Sequence, residues 1–514
     1  MADYGYSPGD RGDMRSRVFS AEFIELAARR VWVFDFRPIF MVNGILLMTL
    51  AAAMALPAAV DLAVGNPDWR VFAAASGLTF FTGAMLALTN WVKSRNFSIR
   101  QAFVMTTSTW CLLPAFAALP MAFSDLNLSY TDAFFEAMSG ISTTGSTVIV
   151  GLDFAPPGIL IWRSLLQWLG GIGIIVMAVS VLPMLQVGGM QLFRMEFAER
   201  VEKALPRAAQ IGAWITIIYL LLTLVCAVLY WAAGMTGFDA INHAMTTVAT
   251  GGFSTYDSSV GLFGSASIEW ISTVFMILGS LPFLLYLQVL RGSPHALFND
   301  SQVHWFFGFL GTATVIMIIY LVMERDWTIT DAIRFTSFNV TSVMTGTGYA
   351  TQDFSAWGAF AAPMFFVLMF IGGCAGSTTC GIKVFRFQVL YASARVQMKR
   401  LLSPNGVFIA YYNRKPIPES VETSVMNFFF LFVAIYALLA CGLGLMGLDF
   451  ITATSGAATA IANVGPGLGE VIGPAGNFSS LPDGAKWLLS FGMLLGRLEL
   501  FTVLILLAPG FWRG

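Results

Sequence analysis

The stretch that decides the fold is ISTTGSTVIV, residues 141–150. It places small polar residues and a glycine between two long apolar segments, where a membrane protein ordinarily continues as helix. Non-helical backbone at membrane depth is stable only where it is buried in protein or lines water. Taken alone, the stretch is equally consistent with a re-entrant pore loop and with a polar extracellular loop.

The same plan recurs three more times along the chain. Each copy begins with an aspartate suited to a helix N-terminus, continues as a short semi-apolar helix, and ends in a glycine-containing tract before an acidic residue. The copies are DAFFEAMSGISTTGSTVI from Asp132, DAINHAMTTVATGGFSTYD from Asp239, DAIRFTSFNVTSVMTGTGYATQD from Asp331 and DFITATSGAATAIANVGPGLGE from Asp449. Four such loops predict one shared aqueous axis, because backbone carbonyls can replace the hydration shell of a cation.

The composition indicates a polytopic membrane protein. Of 514 residues, 57% are hydrophobic and 11% are charged, whereas soluble globular chains carry about 25% charged residues. The net charge of −1 disfavours a nucleic-acid partner. The polar N-terminal stretch MADYGYSPGDRGDMRSR lacks an apolar core, so no cleavable signal peptide is expected. The five cysteines and three histidines are too scattered to predict a disulfide framework or a metal cluster.

Hydropathy predicts ten spanning helices, since a span needs about 20 apolar residues. The predicted spans are 38–63, 71–93, 101–121, 158–185, 209–233, 267–290, 303–323, 360–391, 421–446 and 485–509. Lysine and arginine concentrate in the alternate connections that share a side with the N-terminus, which predicts a cytoplasmic N-terminus. The predicted organisation is a cytoplasmic segment 1–37, two extra helices in 38–93, and pore repeats in 94–190, 191–299, 300–400 and 401–514.

Five motifs together resemble the Trk/Ktr/HKT superfamily of potassium transporters, and most closely its TrkH-type branch. They are STTGSTVI, TTVATGGFSTYD, TGTGYAT, ANVGPGLGEV and GGCAGSTTCGIKV, and the resemblance extends from about residue 38 to the end. It implies an all-α polytopic membrane protein with four M1–P–M2 repeats of the pore-loop channel kind. These repeats would have pseudo-fourfold symmetry and follow two N-terminal transmembrane helices.

The resemblance also implies a selectivity filter with one triplet of residues per repeat. The implied triplets are Thr143, Thr144 and Gly145; Ala249, Thr250 and Gly251; Gly346, Thr347 and Gly348; and Asn463, Val464 and Gly465. The family associates a glycine in all four quarters with potassium, so K⁺ is the expected transported ion, with no enzymatic cofactor. Without a TVGYG-type stretch the filter is expected to be short, and the sequence TGTG leaves the backbone of the third quarter open.

An acidic side chain follows each tract. These residues are Asp153, Asp257, Asp353 and Glu470. A ring of carboxylates at the outer mouth would concentrate cations before they enter the pore. The same residues are equally typical of ordinary turns.

The segment GGCAGSTTCG, residues 372–381, is predicted to interrupt the eighth span. Its residues are Gly372, Gly373, Cys374, Ala375, Gly376, Ser377, Thr378, Thr379, Cys380 and Gly381. Each glycine costs a helix about 1 kcal/mol, so irregular backbone facing a cavity is expected. In the family the matching loop lies beneath the filter and obstructs the pore until it moves. The alternative is a kinked helix packed on a neighbour.

Two of the basic residues within predicted spans need a separate account. Arg497, expected near the middle of the last span, resembles the family's arginine beside the gate loop, where its charge would limit cation passage. The alternative is a structural ion pair, although Glu499 lies only two positions on and points to another side of a helix. Lys383 is expected to extend to the inner surface.

The chain contains no nucleotide-binding motif. The resemblance therefore implies a separate cytosolic nucleotide-binding regulatory subunit (TrkA-like), a homodimer with one pore per protomer, and the lipid of the cell inner membrane. Segments 190–207 and 392–416 are candidate contacts for the subunit, and are equally consistent with lipid-surface segments.

Two other functional classes are less well supported. A secondary transporter that couples potassium or sodium to a proton or sodium gradient would need more intramembrane carboxylates than the chain offers. An enzyme is not expected, because HExxH, paired membrane aspartates and a nucleophile elbow do not occur in the sequence.

Overall fold

The computed structural model describes residues 34–92, 97–180, 208–413 and 415–513. Two N-terminal spans precede the pore units. The first span runs through Arg37–Ala53 and Ala55–Val64, and the second is Trp69–Thr89. They cross closely at two glycines. A Cβ built on Gly44 would lie 2.5 Å from the Gly83 carbonyl oxygen. Small residues at such a crossing let two membrane helices approach backbone to backbone.

The four pore units follow in chain order. The first contains Ile99–Phe123, the pore helix Tyr130–Ile141, the 3₁₀ turn Leu152–Phe154 and Pro157–Ser180. The second contains Ala208–Ala232, the pore helix Gly237–Val248, the 3₁₀ turn Ser259–Phe263, Ala266–Ser280 and Phe283–Leu290. The short helix His295–Phe298 leads into the third unit.

The third unit contains Ser301–Glu324, the pore helix Ile329–Met344, the 3₁₀ turn Phe354–Trp357, Ala361–Phe370 and Val384–Leu402. An antiparallel hairpin follows, with Tyr411 opposite Pro416 and Tyr412 opposite Lys415. The fourth unit contains Glu419–Leu445, the pore helix Phe450–Ala462, Gly469–Ile472, Asp483–Arg497, Phe501–Leu504, the 3₁₀ turn Ile505–Leu507 and Pro509–Trp512.

Three predicted spans are broken. Within the described residues, seven helices are long and apolar enough to span a membrane. The predicted span 267–290 instead bends by 93° between Ser280 and Phe283, and 485–509 bends by 107° after Arg497. The predicted span 360–391 divides at residues 371–383. Pro282 explains the first bend, because proline removes a backbone donor. The end of the predicted span 158–185, and segments 1–33 and 190–207, lie outside the described residues.

Three pore helices begin one turn before the aspartate that marked them in the sequence. The N-cap hydroxyls of Ser129, Thr236 and Thr328 accept the N–H of Asp132, Asp239 and Asp331 at 3.1–3.2 Å. Each hydroxyl also donates to the carboxylate of the same aspartate at 2.7–2.8 Å. Asp449 differs, since it is itself the N-cap of its helix. Such caps satisfy N–H groups that a helix start leaves unpaired.

The pore helices have a larger buried fraction than the surrounding spans. In the first pore helix eight of twelve residues are buried. The span Glu419–Leu445 buries seven of 27, in a single stripe from Val421 to Leu443. A stripe at that spacing is one helix face, and the apolar residues around it suit contact with lipid. The short helices thus lie inside the ring of spans, with their C-terminal ends at the tracts.

Candidate functional site

All four pore helices close in the same way. The N–H donors Thr144, Gly251, Thr347 and Val464 reach carbonyls five residues earlier at 2.9, 2.9, 2.9 and 3.1 Å. The preceding residues Thr143, Thr250, Gly346 and Asn463 have φ of 53°, 50°, 71° and 53°. A residue in the left-handed conformation, followed by an N–H that bonds to a carbonyl five residues earlier, is a common helix C-terminus. These bonds define which residues of the four tracts are equivalent.

The second triplet lies one residue later than the sequence predicted. By backbone conformation the equivalent triplets are 143–145, 250–252, 346–348 and 463–465. Ala249 ends its helix in right-handed conformation, as Ser142 and Thr345 do. In the sequence TGG either glycine fits the motif, but only Gly252 has positive φ, at 78°.

The four triplets form a closed ring. A Cβ built on Gly145 would lie 2.3 Å from the Gly251 carbonyl oxygen, and one on Gly252 would lie 1.8 Å from that of Thr347. A Cβ on Gly348 would lie 2.1 Å from the Val464 oxygen, and one on Gly465 would lie 3.0 Å from the Thr144 oxygen. Each tract's glycine thus packs on the middle carbonyl of the next tract, and the fourth tract returns to the first.

Glycine is required in this ring for two reasons. The φ angles of Gly145, Gly252, Gly348 and Gly465 are 90°, 78°, 80° and 107°, where side chains of L-residues are strained. In addition, any Cβ at these positions would meet a neighbouring backbone carbonyl. The four glycines thus let the backbones of neighbouring tracts come into contact, with the carbonyls of the middle residues at equivalent positions around the ring.

Side-chain hydrogen bonds join the first and fourth tracts. Ser146 Oγ donates to the Gly465 carbonyl at 2.7 Å, and Thr459 Oγ1 donates to the same oxygen at 2.9 Å. Asn463 Nδ2 donates to Thr144 Oγ1 at 2.8 Å. These contacts fix the junction at which the ring closes.

Gln167 holds the second tract and is a residue that the sequence analysis missed. Its Nε2 donates to the Gly251 carbonyl at 2.5 Å, and its Oε1 accepts the Phe253 N–H at 2.9 Å. Tyr349, directly after the third glycine, was also missed. Its buried hydroxyl contacts Thr246 and lies 3.3 Å from Thr247 Oγ1, which ties the third tract to the second pore helix. Tyr349 lies within the quoted motif TGTGYAT, whereas no local motif distinguishes Gln167.

A buried ion pair supports the outer end of the first tract. Arg163 Nε lies 2.7 Å from Glu136 Oε1, and the side chains are 1% and 0% exposed. Glu136 accepts the Val148 N–H at 2.9 Å, while Arg163 Nη1 donates to the Ser254 carbonyl at 2.8 Å. The pair therefore links the first two tracts. An arginine in an apolar span is a signal that could have flagged it.

An outer cavity of about 70 Å³ lies above the ring. Its lining includes Gly145, Gly252, Gly348, Gly465 and Asp257. Beside it, burial and then the charge of Asp239 raise the pKa of the Tyr256 phenol. The neutral Tyr256 hydroxyl donates to Asp239 Oδ2 at 3.1 Å.

The four predicted mouth carboxylates are all exposed, but among them only Asp257 lines the described cavity. Asp257 also accepts the N–H groups of Gly151 and Leu152 at 2.9 and 3.0 Å. Asp353 accepts the Ser355 N–H at 2.9 Å and caps its own short helix. Asp353 is thus a turn former, whereas Asp257 binds a loop of the first unit. The electrostatic role of Asp153, Asp257, Asp353 and Glu470 stays a prediction.

The predicted gate segment is irregular backbone between Phe370 and Val384, with a bridge between Ile371 and Ile382. It docks on the break in the second unit. Cys374 N donates to the Ser280 carbonyl at 3.1 Å, and Thr378 N donates to that of Gly279 at 3.1 Å.

The segment also reaches the tracts. Thr250 Oγ1 donates to Thr378 Oγ1 at 3.0 Å, and a Cβ built on Gly346 would lie 4.0 Å from Cys380 N. The segment therefore lies directly beneath two quarters of the ring, and residues 372–380 are buried.

Arg497 is the last residue of its helix and is 1% exposed. Its guanidinium donates to the Thr378 carbonyl at 3.2 Å, to Cys380 Sγ at 2.6 Å and to the Gly170 carbonyl at 2.8 Å. It thus joins the gate segment to the first unit through neutral acceptors.

The neighbouring charges differ from the prediction at Lys383. Glu499 does not pair with Arg497, as the sequence indicated, and pairs instead with Arg386. Lys383 does not extend to the surface: it is 9% exposed and its ammonium donates to the Thr379 carbonyl. Lys383, Arg497 and Glu499 line a cavity of about 30 Å³ beside the gate segment.

Comparison with known proteins identifies close relatives. The family described as "TrkH: Cation transport protein" matches residues 70–512. The chain is 45% identical over 477 residues to the Trk system potassium uptake protein TrkI of Halomonas elongata, covering 93% of this chain and 97% of that protein. It is 37% identical over 483 residues to the Trk system potassium uptake protein TrkH of Escherichia coli, covering 93% and 99%.

A solved structure is also similar. The crystal structure of the potassium transporter TrkH from Vibrio parahaemolyticus matches with a TM-score of 0.87 at 36% identity, covering 93% of this chain and 100% of that one. The match confirms the predicted fold class, an all-α membrane protein built on pore-loop repeats.

Proposed function

The chain belongs to the TrkH family of cation transport proteins, and from that premise we propose that it takes up potassium through one pore in the cell inner membrane. The ring of tracts carries the proposal. Equivalent carbonyls of Thr144, Gly251, Thr347 and Val464 surround one axis, each beside the glycine of the preceding tract. Carbonyl rings of this kind replace the hydration shell of a monovalent cation. K⁺ is the transported ion, and its ligands are main-chain oxygens of the four triplets.

Segment 371–383 acts as the gate in this proposal. It lies under the second and third tracts and is held by the Gly279–Ser280 carbonyls and by Arg497. Because these anchors belong to two other units, a displacement of the segment would have to release several hydrogen bonds together. The fixed charge of Arg497 beneath the ring adds an electrostatic barrier to cations.

The proposal also includes regulation by a separate cytosolic nucleotide-binding subunit and assembly as a homodimer. Both follow from the family resemblance. Relatives named as parts of a Trk system support a multi-component assembly. The N-terminus is cytoplasmic in this proposal, which puts the gate side of the molecule inside the cell.

Coupling to a second ion is less well supported. Three buried glutamates of the described residues, Glu136, Glu269 and Glu499, are each paired with an arginine. Carboxylates engaged in this way are poor members of a proton relay. A passive pathway therefore accounts best for the arrangement.

Complementation tests the function. A host that lacks potassium uptake, expressing the chain with its regulatory subunit, should grow at micromolar to millimolar potassium, and excess sodium should compete weakly. Growth that requires sodium, or flux that fails to follow an imposed potassium gradient in proteoliposomes, would contradict a passive potassium pore.

A further inference from the structure

A separate cavity of about 320 Å³ lies where the third unit begins and where its last helix continues from the gate segment. It shares no lining residue with the outer cavity above the ring or with the cavity beside Arg497. Its lining includes Trp305, Gln388, Tyr391, Arg395, Lys399 and Tyr411. Three elements therefore meet there: the helix Ser301–Glu324, the helix Val384–Leu402 and the hairpin.

Hydrogen bonds and ring contacts hold these elements together. Gln388 Nε2 donates to the Ser301 carbonyl at 2.7 Å, and Ser301 N donates to Asn413 Oδ1 at 3.3 Å. The rings of Trp305 and Tyr391 have centroids 5.4 Å apart. The cavity is thus a preformed site rather than a gap between loosely packed helices.

The charge of the cavity is positive. Arg395 and Lys399 lie four residues apart and so share one face of their helix. The described lining contains two cationic side chains and no carboxylate. Within the described part of the chain, the Arg395 guanidinium has no hydrogen-bond or ion-pair partner. The nearby carboxylates are engaged: Glu422 accepts from Ser393 at 3.0 Å, and Asp300 caps its helix through Gln302 N at 2.9 Å.

Exposed apolar side chains belong to the same site. Ile409 and Tyr411 line the cavity and are 51% and 58% exposed. Trp305 and Tyr391 combine an apolar ring with a polar edge, the combination that is enriched where membrane helices meet the headgroup layer. A free phosphate would leave these apolar side chains in water. A molecule with an anionic head and an acyl tail would contact both the cationic and the apolar side chains of the site.

We propose that this cavity binds the phosphate headgroup of an anionic phospholipid, with Arg395 and Lys399 as its cationic ligands. The proposal rests on the orientation in the proposed function, which places the site in the cytoplasmic leaflet, where basic pockets between membrane helices take anionic headgroups. Because the helix Val384–Leu402 continues directly from the gate segment, the bound lipid would hold that helix against the start of the third unit.

Native mass spectrometry of the full-length, delipidated protein tests the site. Phosphatidylglycerol should bind in preference to phosphatidylcholine, and the double variant Arg395→Gln/Lys399→Gln should bind phosphatidylglycerol about thirtyfold more weakly. This factor assumes about 1 kcal/mol for each basic residue and tenfold for each 1.4 kcal/mol. The matched control Arg291→Gln/Arg513→Gln removes the same charge from exposed arginines outside the cavity and should bind as the wild type does.

Four outcomes would overturn the proposal. Equal affinity for the two lipids, or equal loss in the control variant, would show that general charge and not this cavity attracts lipid. Displacement of phosphatidylglycerol by millimolar inorganic phosphate or glycerol phosphate would assign the site to a soluble anion. Unchanged lipid binding with lost binding of the regulatory subunit would assign it to a protein partner. Because the assay needs no ion flux, its failure would leave the proposed potassium pathway intact.

Discussion

Gly251 and Gly252 are adjacent in the second tract but have different surroundings. Gly252 has φ of +78°, and a Cβ on it would lie 1.8 Å from the Thr347 carbonyl oxygen. A Cβ on Gly251 would meet the Gln167 side chain at 2.4 Å, and Gly251 does not have positive φ. At Gly252 an added side chain is disfavoured both by the left-handed conformation and by the rigid Thr347 carbonyl. At Gly251 it would meet only the Gln167 side chain.

We expect Gly252→Ala to lower potassium flux by more than tenfold and to remove discrimination against sodium. The methyl group would force apart the second and third tracts, in addition to a strain of roughly 1–2 kcal/mol from the left-handed conformation. Rubidium and sodium uptake into proteoliposomes would measure both effects.

Gly151→Ala is the matched control for that experiment. Gly151 has the same φ of +78° but nothing within 4 Å of its added Cβ, so only the strain applies and flux should stay close to that of the wild type. If Gly251→Ala abolished selectivity while Gly252→Ala preserved it, the register assigned to the second triplet would be wrong.

Arg497 combines a charge with three hydrogen bonds, and two substitutions separate these contributions. Arg497→Ala removes both and should raise basal flux by roughly tenfold, since each bond to a charged donor contributes about 1.5–3 kcal/mol. Arg497→Lys keeps the charge but cannot reproduce the three contacts. It should raise flux by a smaller factor, measured without the regulatory subunit.

Arg325→Lys serves as the control, because Arg325 Nε donates to the Trp357 carbonyl at 3.0 Å, away from the gate segment. An Arg497→Lys variant with wild-type flux would show that the charge alone limits passage. An inactive Arg497→Ala variant of normal abundance would favour a purely structural role.

At the scale of elements, the gate segment and the broken helix of the second unit stabilise each other. The helix break at Leu281–Pro282 frees carbonyls that a continuous helix would use, and Cys374 N and Thr378 N pair with them. Phe283 N, at the start of the next helix, donates to the Gly376 carbonyl at 3.0 Å. Two irregular segments thus satisfy one another's backbone, which membrane burial requires.

Thr378→Val should raise basal flux several-fold, and deletion within 374–379 should raise it further. The valine has the same shape but loses the bonds of Thr378 Oγ1 to Gly279 O at 2.9 Å and to Thr250 at 3.0 Å. Thr454→Val, on the exposed face of the fourth pore helix, should leave flux unchanged. A deletion variant that is folded, inserted and still closed would place the gate elsewhere.

At the scale of the whole molecule, the ring depends on all four units at once. Each tract contacts the next through backbone atoms, so a cation bound on the axis would link the C-terminal ends of four pore helices. Because helix C-termini carry partial negative charge, an empty ring leaves four such ends facing one another without a counter-charge.

Potassium should therefore raise the unfolding temperature of the purified protein. A ligand that binds only the folded state at 100 times its Kd adds about 2.7 kcal/mol. Sodium at equal ionic strength should raise it less, and the Gly252→Ala variant should show no difference between the two ions. Equal stabilisation by potassium, sodium and choline in the wild type would argue against an ion site in the ring.

The sequence by itself determined the membrane class, the four pore helices and the glycine tracts, because composition, helix caps and positive-φ glycines are properties of short segments. Only the folded chain shows the register of TGG, the bends in the predicted spans 267–290 and 485–509, and the partners of Arg163, Lys383 and Glu499. Arg497 illustrates the reason. It contacts Gly170, 327 positions away in the chain, and Thr378, 119 positions away. Contacts between such distant residues have no local pattern, since they arise only when four separate units fold around one axis.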